Sequence, residues 1–164
     1  KRIDYSLIKG GGITMADQWR LSTDDLIDSS ETDLDSNWER VDSTGFGTIG
    51  SAMTQSSGVF TFPTTGIYYI FFQIWGYAGS GTDYLRAMIK HHDGSSTQTK
   101  MADGRSYMPS SHYAIATANL LFDCTSTSTD KIVFYGGGNV NGNTIQGATD
   151  NNRTYATFIR LGDT

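Results

Sequence analysis

The stretch Ile67–Trp75 restricts the possible folds of this chain more than any other part of its sequence. Its longest apolar run covers residues 67–72, which is far shorter than the roughly 20 residues that a membrane-spanning helix needs. If the stretch is a β-strand, alternate side chains point to opposite faces. One face then carries Tyr68, Ile70, Phe72 and Ile74, and the other carries Ile67, Tyr69, Phe71, Gln73 and Trp75.

Both faces of this predicted strand are apolar or aromatic. A strand of an antiparallel sandwich usually has one face in the core and one polar face in water. The second face must therefore be covered, and we expect a subunit interface on the outside of one sheet. A local cover by the N-terminal arm or by a long loop is the alternative.

The remaining sequence predicts an all-β protein of one domain, a size that 164 residues fit. Only Glu31 and Glu39 are glutamates among the 17 acidic residues, and the chain has 19 glycines. Asp, Ser and Gly favour turns, whereas Thr, Tyr, Phe and Ile favour strands. We predict about ten strands, arranged as a sandwich or jelly roll. They cover residues 13–21, 38–41, 46–54, 59–62, 67–75, 84–91, 97–102, 113–124, 131–135 and 154–161, with an acidic loop over 23–37 and a Gly/Asn loop over 136–143.

The charge and the candidate chemical groups exclude several classes of function. A formal net charge of −5 argues against a basic nucleic-acid module and a polybasic membrane binder. His91 and His92 are adjacent in a strand and point to opposite faces, so we predict no metal site there. Cys124 is in register with core positions and is predicted to be a small buried residue.

The acidic loop resembles a calcium site only in part. Asp33, Asp35 and Asn37 copy the first ligand positions of an EF-hand loop, but Trp38 stands where that loop needs Gly. The EF-hand interpretation fails, and a weak calcium site of another type stays open. No nucleophile–base pair or phosphate loop is visible, so we predict a non-enzymatic protein with no catalytic residue, no metal and no cofactor.

The segment Gly58-Val59-Phe60-Thr61-Phe62-Pro63, followed by Gly66-Ile67-Tyr68-Tyr69-Ile70, resembles the C1q/TNF-like jelly-roll superfamily. The late segments 118–122, 130–134 and 155–161 are similar to its last hairpin and closing strand. The resemblance implies a compact homotrimer whose inner sheet packs around a threefold axis. It places Tyr69, Phe71, Gln73 and Trp75 at the trimer interface. No Gly-X-Y collagen repeat is present, which argues against complement-like and cytokine-like functions.

Three further segments, 13–21, 37–42 and 158–163, resemble C1q-like virion proteins of marine tailed bacteriophages. This resemblance implies a trimeric capsid decoration (cement) protein on the virion surface, with the major capsid protein or another virion protein as partner. We expect no nucleic-acid or membrane partner. Residues 13–164 would form the jelly-roll domain, and residues 1–12 an N-terminal arm that anchors it to the shell through Ile3, Tyr5, Leu7 and Ile8, which can add a strand to another protein.

Three alternatives remain open at this level. The arm can be a disordered terminus instead of an anchor. The domain can be the receptor-binding knob of a tail or head fibre, with host contacts in loops such as 76–83 or 136–152. It can also be a C1q-like carbohydrate-binding module.

Overall fold

The computed structural model describes residues 12–27, 31–79, 83–139 and 142–164. These residues form thirteen strands and no helix, which confirms the all-β prediction. The strands are β1 (Met15–Leu21), β2 (Asp25–Ile27), β3 (Thr32–Asp33), β4 (Trp38–Arg40), β5 (Thr54–Ser56), β6 (Val59–Thr61), β7 (Gly66–Tyr77), β8 (Asp83–His92), β9 (Gln98–Met108), β10 (Tyr113–Cys124), β11 (Lys131–Gly137), β12 (Asn143–Ile145) and β13 (Tyr155–Gly162). The part of the chain described here contains no helix that is long and apolar enough to cross a bilayer.

The strands form two antiparallel sheets that face each other. The first sheet has the order β2-β12-β7-β13-β1-β4, and β10 pairs with β7 on the side away from β13. The second sheet has the order β5-β6-β11-β8-β9, with β3 also paired to β11. The long strand β7 is central, because it pairs over its whole length with β10 and also contacts β13 and β12.

An aromatic core fills the space between the sheets. Tyr68, Ile70, Phe72 and Ile74 are fully buried there, as the alternation predicted. The rings of Phe72 and Phe134 have centroids 4.5 Å apart, and those of Trp38 and Phe60 are 5.2 Å apart. Each such side chain stabilises the fold by about 1.5–3 kcal/mol through burial.

The predicted acidic loop over 23–37 is wrong in part, because it contains two short strands. β2 pairs with β12, and β3 pairs with β11. Ile27 and Leu34 are fully buried and fix this segment to the core. The predicted Gly/Asn loop over 136–143 is also shorter than predicted, because β11 continues to Gly137 and β12 begins at Asn143. These short strands depend on partners far along the chain, so local composition gave no sign of them.

The prediction of a strand over 46–54 is wrong as well. Only an isolated bridge from Ala16 to Ile49 forms there before β5 begins at Thr54. Gly45 and Gly50 have φ angles of +95° and +65°, which interrupt an extended strand. A Cβ on Gly50 would lie 2.0 Å from the backbone oxygen of Thr14, so this glycine permits a close crossing of two chain segments.

Strand β9 continues past its predicted end at Asp103-Gly104 to Met108. Gly104 does not turn the chain. A Cβ at this position would lie 2.0 Å from the backbone oxygen of Thr117 on β10. The absence of a side chain at Gly104 therefore lets β9 and β10, which are edge strands of the two sheets, approach each other closely while β9 remains continuous.

Two arginines on the outer sides of the sheets are almost fully buried. Arg20 on β1 donates to Glu39 at 2.7 Å, and also to Asp42, Ser43 and the carbonyl oxygen of Thr149. Arg86 on β8 donates to Asp103 and Glu31. Each guanidinium uses its fixed fork of donors to hold loops against its sheet.

Candidate interaction surface

The outer face of the first sheet carries the side chains that β7 turns away from the core. Tyr69, Phe71, Gln73 and Trp75 are each partly exposed, and they alternate with fully buried neighbours. We call their surroundings the aromatic face. It consists of Tyr69, Phe71, Gln73, Trp75 and Tyr77 of β7, Tyr113, Ile115 and Leu121 of β10, and Tyr155 and Ile159 of β13.

Strand register brings these residues together. Directly opposed residues of antiparallel strands project from the same face. Tyr69 lies between Leu121 and Ile159, and this row is entirely apolar. In the next row Phe71 lies between Asn119 and Thr157. Gln73 follows between Thr117 and Tyr155, so the face combines an apolar end with two rows that contain hydrogen-bonding groups.

Ring contacts hold the aromatic side chains in place. Phe71 and Tyr155 have centroids 5.7 Å apart, and burial raises the pKa of the Tyr155 hydroxyl. Tyr113 contacts both Trp75 and Tyr77, at 5.8 and 4.8 Å. A shallow apolar cavity of about 330 Å³ opens beside them, and it is lined by Trp75, Tyr113, Ala114 and Ile115.

The segment before β13 covers one end of this face. Gln73 donates to the carbonyl oxygen of Arg153 at 3.0 Å, and the Arg153 guanidinium lies 5.5 Å from the centroid of a Trp75 ring. Within the described residues, the Nε of Arg153 is buried and has no hydrogen-bond acceptor. Buried donors are normally paired, so this edge of the face has one unmet donor.

The described residues leave the rest of the aromatic face open. Ile115 is 50% exposed, Leu121 66% and Tyr113 59%. The anchoring arm predicted at Ile3, Tyr5, Leu7 and Ile8 lies outside the described residues. A cover by the arm and an interface with another copy are therefore both still predictions.

The candidate metal ligands lie apart. His91 contacts Asp130 at 3.2 Å and Phe122 on the inner side of its strand, whereas Nδ1 of His92 accepts from the Gly94 N–H on the outer side. Asp33 accepts a hydrogen bond from Tyr135, and burial raises the pKa of this carboxyl. Among the residues that the structure describes, no cluster of three or more His, Cys, Asp or Glu could hold a metal ion.

Cys124 is fully buried, as its register predicted. Burial and the nearby Asp130 carboxylate raise the pKa of its thiol to about 11. A thiol in this state is a poor nucleophile at neutral pH, so the geometry gives no support to a catalytic cysteine.

Sequence reasoning found the β7 residues of the aromatic face but missed those on its neighbours. Tyr113, Ile115 and Leu121 follow the same period of two along β10, and Tyr155 and Ile159 do so along β13. This periodicity was visible in the sequence. Its connection with β7 was not, because only the strand register shows that these residues share one face.

Solved structures with this architecture include Eiger TNF from S. frugiperda, with a TM-score of 0.71, 10% identity, and coverage of 93% of this chain and 96% of that one. Murine APRIL at pH 8.5 has a TM-score of 0.63, with 14% identity, 90% of this chain and 98% of that one. The globular domain of zebrafish complement 1qA has a TM-score of 0.54, with 14% identity, 88% of this chain and 94% of that one.

The fold is therefore a jelly roll of the C1q/TNF type, as the resemblance implied. No protein-family model and no curated protein matches the sequence. At identities of 10–14% the likeness concerns the fold alone.

Proposed function

We propose that this chain is a non-enzymatic structural protein that assembles as a homotrimer through its aromatic face. The observation that supports the proposal is the exposure of Ile115 and Leu121 beside the partly exposed Tyr69 and Trp75, on a sheet whose other face is the core. Aromatic residues are enriched in the centres of protein interfaces, and charged residues are depleted there. The described part of this face has that composition.

Three copies fit this face better than a small ligand does. It is broad and shallow, whereas small-molecule sites are concave and bury most of their ligand. The resemblance to the C1q/TNF-like superfamily supplies the threefold arrangement.

Sedimentation tests the trimer directly. Each chain has a mass of 17.9 kDa, so we expect a species of three times that mass at concentrations above about 1 μM, since obligate interfaces that bury apolar surface reach this affinity readily. A monomer that persists at 100 μM would overturn the proposal.

Our finer proposal is that the trimer is a capsid decoration protein at the virion surface. The resemblance of residues 13–21, 37–42 and 158–163 to C1q-like virion proteins supports it, together with an acidic composition that contains a single cysteine. The basic residues Lys1, Arg2 and Lys9 of the arm would suit an acidic shell. Its apolar residues Ile3, Tyr5, Leu7 and Ile8 would pair with an exposed strand edge of a shell protein.

Deletion of residues 1–9 distinguishes the proposed decoration protein from the alternative, a fibre knob. For a decoration protein, the shortened chain should remain a trimer, lose binding to purified shells and show no binding to host cells. For a knob, the shortened trimer should bind cells through its loops. Cell binding by the shortened trimer, with shell binding unchanged, would overturn the assignment to the shell while leaving the trimer intact.

A further inference from the structure

A polar cleft opens on the outer face of the second sheet, on the opposite side of the sandwich from the aromatic face. Its volume is about 520 Å³, within the range of small-molecule sites. Its lining consists of Thr54, Gln55, Ser56, Val59, Thr61, His92, Gly94 and Lys131. None of these residues belongs to the proposed trimer interface.

Strand register builds the floor of this cleft. Thr54 is paired with Thr61, Thr61 with Lys131, and Lys131 with His92. Directly paired residues point to the same face, so four neighbouring strands contribute one row of polar side chains. Val59 and Ser56 form the next row on the same face and close the cleft on the β5–β6 side.

Internal hydrogen bonds occupy several acceptor atoms of this lining. Nδ1 of His92 accepts from the Gly94 N–H at 3.0 Å, so the ring proton is on Nε2. Oε1 of Gln55 accepts from the Gly58 N–H at 3.2 Å, and because Gln55 is paired with the buried Phe60, its side chain belongs to the opposite face from Thr54 and Thr61. The hydroxyl oxygen of Thr61 accepts from Lys131 at 3.2 Å, so its O–H is also available as a donor.

The two carboxylates that adjoin the lining in sequence are bound within their own turns. Oδ1 of Asp93 accepts from Ser95, Ser96 and Thr97. Asp130 accepts from Thr125 and Ser126 and contacts His91. Neither carboxylate is part of the cleft lining. The cleft therefore presents the Lys131 ammonium, a ring N–H and hydroxyl groups.

We propose that this cleft binds an acidic saccharide through the carboxylate of a uronic acid residue. A carboxylate supplies acceptors for Lys131 and the His92 Nε2–H, and the charge-assisted hydrogen bond to Lys131 is the stronger of these contacts. The hydroxyls of Thr54 and Ser56 both donate and accept, as a sugar ring requires. Val59 gives an apolar contact for the ring carbons.

The full chain tests this proposal by titration with trigalacturonate, monitored by amide chemical shifts in two-dimensional NMR. We expect saturable shifts at residues 54–61 and 92–94, and at least tenfold weaker binding of maltotriose, a neutral trisaccharide. Lys131→Met should weaken trigalacturonate binding tenfold or more while retaining most of the side-chain volume. Lys100→Met is the matched control, because Lys100 is 46% exposed and lies outside the cleft.

The other outcomes distinguish the alternatives. Equal affinities for trigalacturonate and maltotriose, or an unchanged affinity in Lys131→Met, would overturn the carboxylate contact. Inorganic sulfate that shifts the same amides with the same affinity would show that the cleft recognises charge alone, and would overturn the saccharide. The spectrum of Lys131→Met serves as the folding control. If its amide shifts are those of a folded protein and differ from the wild type only around the cleft, the loss of binding is local.

Discussion

The outer faces of the two sheets differ in how far their apolar residues are exposed to solvent. On the second sheet, Met88 and Val133 point outward, yet they are 0% and 2% exposed. Lys90 places its ammonium 3.6 Å from the centroid of the Tyr135 ring and forms an ion pair with Glu31. On the first sheet, Leu121 remains 66% exposed and Ile115 50% exposed.

Both outer faces therefore contain apolar residues, but those of β8 and β11 at Met88 and Val133 are covered within the described chain, whereas Ile115 and Leu121 of β10 are exposed. Lysine and arginine can cover apolar surface with their stems while their charged groups stay in water. The second sheet has such residues on β8, whereas β7 has none on either face. This difference supports the proposed protein contacts on the first outer face and is consistent with the proposed saccharide cleft on the second.

The largest expected effect comes from truncating the aromatic face. Phe71→Ala should weaken self-association by about 2–4 kcal/mol at each interface, because a buried interface aromatic loses its contacts. Sedimentation equilibrium measures the change. Tyr107→Ala is the control, since this tyrosine is 71% exposed on β9 of the second sheet, and it should leave association unchanged. Equal losses in both variants would remove the distinction between the two faces.

The buried arginines should differ in how strongly they couple to their acidic partners. A double-mutant cycle of Arg20→Met and Glu39→Gln should give a coupling of about 1 kcal/mol. The cycle of Arg86→Met and Glu31→Gln should give less than about half of that, because its contact is 3.3 Å rather than 2.7 Å and Glu31 is more exposed. Urea unfolding measures both. A larger coupling at Arg86 would contradict this ranking.

Acid should weaken the charged network of the second sheet. The hydrogen bond from Lys90 lowers the pKa of Glu31, and the hydrogen bond from Arg86 lowers that of Asp103. A lowered folded-state pKa gives stability that is complete above the ordinary values of 4.5 and 3.8 and is lost as the pH falls through the lower folded values. Because both groups are exposed, the loss should be less than about 1 kcal/mol.

Urea unfolding at pH 6 and pH 3 measures this loss, and Arg86→Met provides the comparison. The variant lacks the guanidinium that contacts both carboxylates, so its stability should fall less between the two pH values than that of the wild type. An identical fall in both proteins would show that this network does not contribute to the pH dependence.

The smallest expected effect is that of a chelator. EDTA should leave the melting temperature nearly unchanged, because the described carboxylates form no three-ligand cluster. A domain of this size shifts its midpoint by roughly 2–8 °C per kcal/mol. A fall of more than about 5 °C would indicate a bound calcium ion in the acidic segment 24–37 and would contradict the prediction.

The sequence alone determined the character of β7 and the class of the fold. A period of two is a local property, so the alternation over Ile67–Trp75 assigned Tyr68 to the core and Tyr69 to the outer face, and the structure places both there. The turn at Ser57-Gly58 was also predictable, because glycine adopts positive φ angles at little cost. In the structure both residues have positive φ angles. The position of Cys124 followed from the same alternation in β10.

Tertiary structure decided the features that depend on pairing between distant segments. β2 and β12 have three residues each, and their hydrogen bonds come from distant segments, since β12 pairs with both β2 and β7. Arg20 is buried on the outer side of β1 because Glu39 of the neighbouring strand β4 and the carbonyl oxygen of Thr149 both contact it. The row Thr61–Lys131–His92 joins three strands that are distant in sequence. Local patterns report which way a side chain points along its own strand, whereas strand register decides which side chains it meets.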